Sequence, residues 1–148
     1  MGAGASLQSL RGKVVSVDEL DPKRHNQSKA KSLFWIGSCK RDLLEMPEAV
    51  RSEVGYALYL AQIGYKHAAA KPLKGFGSAG ILEVVEDFDG EAYRAIYTVR
   101  FSNAVYVLHC FQKKSTRGIA MPKPDAELIQ IRLTAAEQHS RGKRNDQG

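Results

Sequence analysis

The chain has 148 residues, 43% of them hydrophobic, which is enough for one core of ordinary size and too few for a second large domain. Twenty-two Lys and Arg against sixteen Asp and Glu leave a formal net charge of +6 and a pI near 9.4, favouring a nucleic acid, an anionic membrane surface or an acidic protein as partner. No apolar run approaches the ~20 residues of a bilayer span and no secretory-type apolar stretch stands near residue 1, so the expectation is a soluble, cytoplasmic protein.

Residues 1–30 mix Gly, Ser, Lys, Arg, Asp and Asn without a sustained period and read as a flexible leader. Its opening Met1-Gly2-Ala3-Gly4-Ala5-Ser6 fits the N-myristoylation pattern, which a Gly/Ala/Ser-rich tail readily produces by chance. Leu33-Phe34-Trp35-Ile36, bounded by Gly37-Ser38, reads as the first strand of a domain spanning 31–140. Lys40 to Glu45 supports one or two helical turns, and Pro47 suits the first turn of a second helix. There Val50, Val54, Ala57, Leu58 and Ala61 recur at helical spacing, with Gly64 as the stop. Cys39 and Cys110 fall in different elements without a C-x-x-C partner, so both are expected to be reduced packing residues, with no metal site and no cofactor.

Tyr65 to Ala79, with Lys71-Pro72-Leu73-Lys74-Gly75-Phe76-Gly77, is expected to be an irregular and functional connection. Ile81 to Phe88 and Ala92 to Phe101 read as strands joined through Asp87-Phe88-Asp89-Gly90, and Ser102-Asn103 reverses the chain into a strand from Val105 to Lys113. After an extended basic segment, Asp125 to about Gln138 carries an apolar helical stripe of Leu128, Ile129, Leu133 and Ala136, leaving 141–148 as a flexible tail. The order predicts an α+β fold: a small, antiparallel-rich twisted sheet with an N-terminal helical hairpin and a C-terminal helix, the helices packed on one sheet face.

Strand alternation puts Arg94, Ile96, Thr98 and Arg100 on one face and Tyr93, Ala95, Tyr97, Val99 and Phe101 on the core face. A two-residue turn at Ser102-Asn103 sets Arg100 opposite Val105, Ile96 opposite His109 and Arg94 opposite Phe111, and sends Tyr106, Leu108 and Cys110 to the core. An open face then gathers Arg94, Arg100, His109 and Lys113, with Lys71 or Lys74 approaching from the loop. Each has a plainer reading: Arg94 and Arg100 as partners of Glu83 or Glu86, His109 as a packed residue, Lys113-Lys114 as a solubilising strand end.

The element order, the Lys71-Pro72-Leu73-Lys74-Gly75 loop, the Tyr93-Arg94-Ala95-Ile96-Tyr97 strand and the Leu108-His109-Cys110-Phe111-Gln112-Lys113-Lys114-Ser115 strand end resemble the phage-derived, HigB-like branch of the RelE/ParE toxin superfamily. The resemblance runs from about Ser32 to His139. It implies a RelE-like fold and the toxin of a type II toxin–antitoxin system, neutralised by a cognate antitoxin that is often a helix-turn-helix protein. RelE and HigB members act as ribosome-dependent endoribonucleases on messenger RNA; ParE members inhibit DNA gyrase; an inactive RNA-binding module is the third possibility. Carried over, Arg94, Lys113 and Lys74 become candidate catalytic residues, and Lys71, Arg100, Lys114 and His109 candidate RNA contacts. In such chemistry the 2′-hydroxyl attacks the adjacent phosphate, and basic groups align it, stabilise the pentavalent anion and assist the leaving oxygen. The chain has no tyrosine after its last strand, so the resemblance supplies no general acid, and it leaves the oligomeric state open.

Overall fold

The computed structural model describes residues 30–77, 80–113 and 121–147, the side chains of Lys113 and of 144–147 excepted. The chain runs β1 (Ser32–Trp35), α1 (Cys39–Leu44), α2 (Glu48–Gln62), β2 (Lys71–Pro72), β3 (Ile81–Phe88), β4 (Glu91–Phe101), β5 (Ala104–Lys113) and α3 (Lys123–Gln147). Asp89 and Gly90, at φ 54° and 82°, make the turn between β3 and β4, the left-handed geometry that a right-twisted hairpin requires and that an Asp-Gly pair adopts cheaply. Ser102-Asn103 closes β4 onto β5, with Phe101 opposite Ala104. The five strands lie in the order β1-β5-β4-β3-β2, antiparallel except for β1, which pairs in parallel with β5. This is the α+β architecture of a RelE-like fold.

The expected irregular loop after Tyr65 contains a short strand. Lys71 pairs with Glu83 and Pro72 with Leu82 at the sheet edge, where proline's missing N–H leaves no ladder bond unmade.

Helices cover both faces of the sheet, which corrects the expectation of one. On one face Cys39, Leu43, Val50, Val54, Ala57, Leu58 and Ala61 pack against Leu82, Val84, Ala95, Tyr97, Val105, Val107 and Cys110. On the other, Ile129, Leu133 and Ala136 of α3 pack against Ile81, Ile96, Tyr106 and Leu108. Each fully buried aliphatic or aromatic side chain in these layers contributes roughly 1.5–3 kcal/mol by area. The face that carries Arg94, Ile96, Thr98 and His109 is therefore a second core, not an open surface.

A bulge explains the strand faces that alternation misplaced. Ile96 lies opposite His109 and Arg94 opposite Phe111, as expected, but Tyr97 lies opposite Val107, so β5 holds an extra residue at Leu108. At Tyr97 and Thr98 the register is slipped by one, which exchanges the faces, and a second irregularity between Thr98 and Phe101 restores it at the Phe101–Ala104 pair. Val105 and Val107 turn to the helical hairpin, and Tyr106 and Leu108 turn to α3. α3 itself runs well past Gln138 because Ser140 is still buried against the sheet. The leader lies outside the described residues except for Ala30.

Candidate functional site

β2, the turn after it, β3, β4 and the first turns of α3 surround a cleft of about 810 Å³. Lys71 and Lys74 stand exposed on one wall because Leu73, between them, is the residue that turns into the core. Arg94 forms the floor with Glu83 and Val85, and Glu127 and Gln130 of α3 form the far wall. The sequence-derived candidates Lys71, Lys74 and Arg94 therefore meet in one place.

Arg94 is not a free cation. It is 5% exposed, and its Nε and Nη2 both donate to Glu83, two residues along the neighbouring strand from its register partner Val85 and so on the same face. That pairing is the plainer reading of the sequence, and it holds for Arg94. Its guanidinium also lies over the Phe111 ring, 5.4 Å from the centroid, and Phe111 stacks on His109 at 4.2 Å. The result is a layered cation, ring and imidazole on the α3 face of the sheet.

His109, the innermost member of that layer, lies outside the cleft lining, 7% exposed, with Nε2 2.8 Å from Asp125 Oδ1 in the first turn of α3. Burial pulls its pKa below the ordinary histidine value, and the opposing pull of Asp125 only partly offsets this. A neutral ring that donates Nε2–H to the carboxylate leaves Nδ1 as an acceptor, and Nδ1 is buried with no hydrogen-bond partner among the described residues. Arg100 lies elsewhere, 3.0 Å from Glu137 of α3 and stacked on Phe101. Lys113 ends β5 opposite Ala92, close along the ladder to the Arg94–Phe111 pair, and Lys114 lies outside the described residues.

Three features escaped sequence reasoning. Asp125 as the partner of His109 left no local signal, since the two are joined only by the fold. Arg132 reaches across from α3 to donate to the Leu108 carbonyl at 3.0 Å and to Ser38 Oγ at 3.3 Å, passing over Gly37. Tyr106, 1% exposed, shares a 2.7 Å hydrogen bond with His139 Nδ1, which gives the late histidine a fixed place. Cys39 and Cys110 are both buried free thiols, as expected.

No helix among the described residues is long and apolar enough to cross a membrane. No curated protein matches the chain in sequence. The sequence model of the phage-derived protein Gp49-like family (DUF891) matches residues 41–134, from α1 through the middle of α3, and so takes in both the cleft and the sheet beneath it. That span is well over half of the chain, and the protein belongs to this family, which is part of the RelE/HigB-like toxin clan and related to the toxins of toxin–antitoxin systems.

Proposed function

We propose that the chain is the toxin of a type II toxin–antitoxin system and acts as an endoribonuclease on messenger RNA at the ribosome, in the cytoplasm. The observation that carries this reading is the convergence of Lys71, Lys74 and Arg94 on one cleft. Lys71 and Lys74, both exposed, hold the oxygens of the scissile and neighbouring phosphates. The 2′-oxygen forms a bond to phosphorus as it loses its proton, the bond to the 5′-oxygen breaks, and that oxygen takes up a proton. Negative charge builds on the phosphoryl oxygens in between. Glu83 occupies Nε and Nη2 of Arg94, so Nη1 is the nitrogen that meets this charge. The ion pair fixes the guanidinium in advance, which is the condition for electrostatic stabilisation without reorganisation.

The partner in this reading is a cognate antitoxin of the helix-turn-helix kind, whose acidic or amphipathic segment takes the place of α3 on the sheet. α3 is held by three buried apolar residues and by polar tethers, which suits exchange for a competing helix. Association driven by a basic chain and an acidic segment weakens as salt rises.

Induction of the wild type arrests growth and produces transcripts with new 5′ ends inside reading frames. Lys71→Ala with Lys74→Ala, at two exposed positions, lowers cleavage at least tenfold while leaving the melting temperature in place. Growth arrest with unchanged transcripts, above all with inhibited DNA gyrase, would overturn the ribonuclease reading.

A further inference from the structure

A second cavity, about 270 Å³, opens at the other end of α3, between the start of β1, the β4–β5 turn and the late turns of the helix. Its lining includes Lys31, Ser102, Asn103, Tyr106, Ser140 and Lys143, and among the described residues that line it there is no carboxylate. This separates it from the first cleft, where Glu83 and Glu127 stand among the cations. Lys31 and Lys143 form no ion pair with any described residue. Lys31 donates to the Val99 carbonyl at a long 3.4 Å, and its burial pulls its pKa below the ordinary lysine value, so its charge is poorly compensated. Lys143 lies over the Phe34 ring, 5.5 Å from its centroid. Ser140 is 5% exposed beside the Tyr106–His139 hydrogen bond, and Asn103 is exposed at the rim. Two ammonium groups, hydroxyls and an amide around a space of roughly nine water volumes make a site for a tetrahedral oxyanion and part of what bears it.

We propose that this pocket is a phosphodiester subsite that holds the RNA strand away from the cleft of Lys71, Lys74 and Arg94. The inference rests on the ribonuclease reading for the identity of the strand. Gln130 lines the first cleft and Ser140 the second pocket, a separation of ~15 Å along the helix, which a short run of extended nucleotides bridges. The two sites border opposite ends of α3, the cleft at its first turns and the pocket at its last, so a strand that reaches both passes across the helix. Phe34, partly buried and backed by Tyr106 at 5.2 Å, gives the pocket an apolar floor that suits a sugar beside the phosphate.

The test uses the full chain and follows the backbone amide signals of Ser102, Asn103 and Ser140 by nuclear magnetic resonance. The probes are a short single-stranded oligoribonucleotide, inorganic phosphate and a glutamate-rich peptide. The oligoribonucleotide shifts these signals saturably, and phosphate shifts the same signals more weakly. Lys31→Gln with Lys143→Gln lowers oligoribonucleotide affinity roughly tenfold and makes the salt dependence shallower by about one to two in log–log slope. Lys143→Gln alone, at an exposed position, lowers it about threefold and serves if the double variant melts early. Unmoved signals, unchanged affinity in the variants, or a response to the peptide and not to RNA would overturn the subsite. RNA that occupies the pocket yet stays uncut on ribosomes defeats the ribonuclease reading alone, whereas normal cleavage with wild-type affinity in the double variant defeats the subsite alone.

Discussion

The two faces of the sheet are built from different chemistry. Beneath α1 and α2 the strands present Leu82, Val84, Ala95, Val105, Val107 and Cys110, with Tyr97 as the polar exception: its buried hydroxyl has no partner among the described residues and its pKa is pushed up to about 12 by burial. Beneath α3 the buried strand residues include Arg94, Thr98 and His109, each anchored by a specific partner in Glu83, the Gly80 carbonyl and Asp125. An apolar layer specifies where the helical hairpin sits, whereas the polar layer is satisfied group by group, Arg94 and Thr98 within the sheet and His109 by Asp125 of α3. Charge on a strand marks a site only once its partners are known. Arg94 is the most deeply buried cation described and also the one most fully neutralised.

Glu83→Ala leaves the Arg94 guanidinium buried without its counter-charge, and removal of one partner of a buried pair costs roughly 3–5 kcal/mol; the lower end is expected here because the carboxylate is 16% exposed. Denaturant unfolding measures it. Replacing both together, Glu83→Leu with Arg94→Met, recovers most of that stability because the desolvation cost disappears along with the attraction. On the proposed ribonuclease reading, RNA cleavage is lost in the double variant, which lacks the guanidinium. Activity that survived it would show that Arg94 serves only the fold.

Leu133→Ala acts on the α3 layer from the helix side. It removes one of three buried anchors of α3, 5% exposed, and costs about 2–3 kcal/mol. Amide exchange should then quicken in α3 and leave α2 protected, since the two helices pack on separate layers. Equal loss of protection in both would mean that the layers act as one unit.

Gly37→Ala has a smaller effect and tests the Arg132 bridge. Gly37 stands at φ +61°, and an added Cβ would lie 2.8 Å from Arg132 Nη2. The left-handed backbone alone costs about 1–2 kcal/mol with a side chain, and the flexible arginine tip adds to that by giving way. Loss of its bonds to Leu108 and Ser38 would appear as a local change at the start of α1 rather than at β3.

Much of this was legible in the sequence. Ile81–Phe88 is the strand that its composition and bounding turn predict, and Asp89-Gly90 and Ser102-Asn103 are the turns that their residues favour. Helical spacing from Val50 to Ala61 likewise marks α2. The bulge at Leu108 was not legible, because an inserted residue in a β-branched run leaves the local pattern intact and only the pairing with β4 reveals it. Coverage of the Arg94 face by α3 was hidden for a related reason: its stripe of Ile129, Leu133 and Ala136 says that the helix packs, not on which side. The convergence of Lys71, Lys74 and Arg94 followed from strand order, whereas the Lys31–Lys143 pocket joins the two ends of the domain and has no signature along the chain.

The smallest expected effect concerns His109 and distinguishes a packed residue from a catalytic one. Its pKa is lowered in the folded protein, so as pH falls below the ordinary histidine value near 6.5 the unfolded chain takes up a proton that the folded chain resists. Stability attributable to this group is fully present above that pH and declines as pH falls toward the folded pKa, where the loss levels off. His109→Gln, which keeps a donor for Asp125, should flatten the unfolding free energy across that window, on top of a pH-independent loss from removing the ring stacked on Phe111. A slope that persists in the variant would place the titration elsewhere. If the cleavage rate follows the same window while the melting temperature does not, Nδ1 of His109 is reached by the reaction and the layer of Arg94, Phe111 and His109 is part of the site. If both follow it together, the imidazole acts on catalysis only by holding α3, through Asp125, against the sheet.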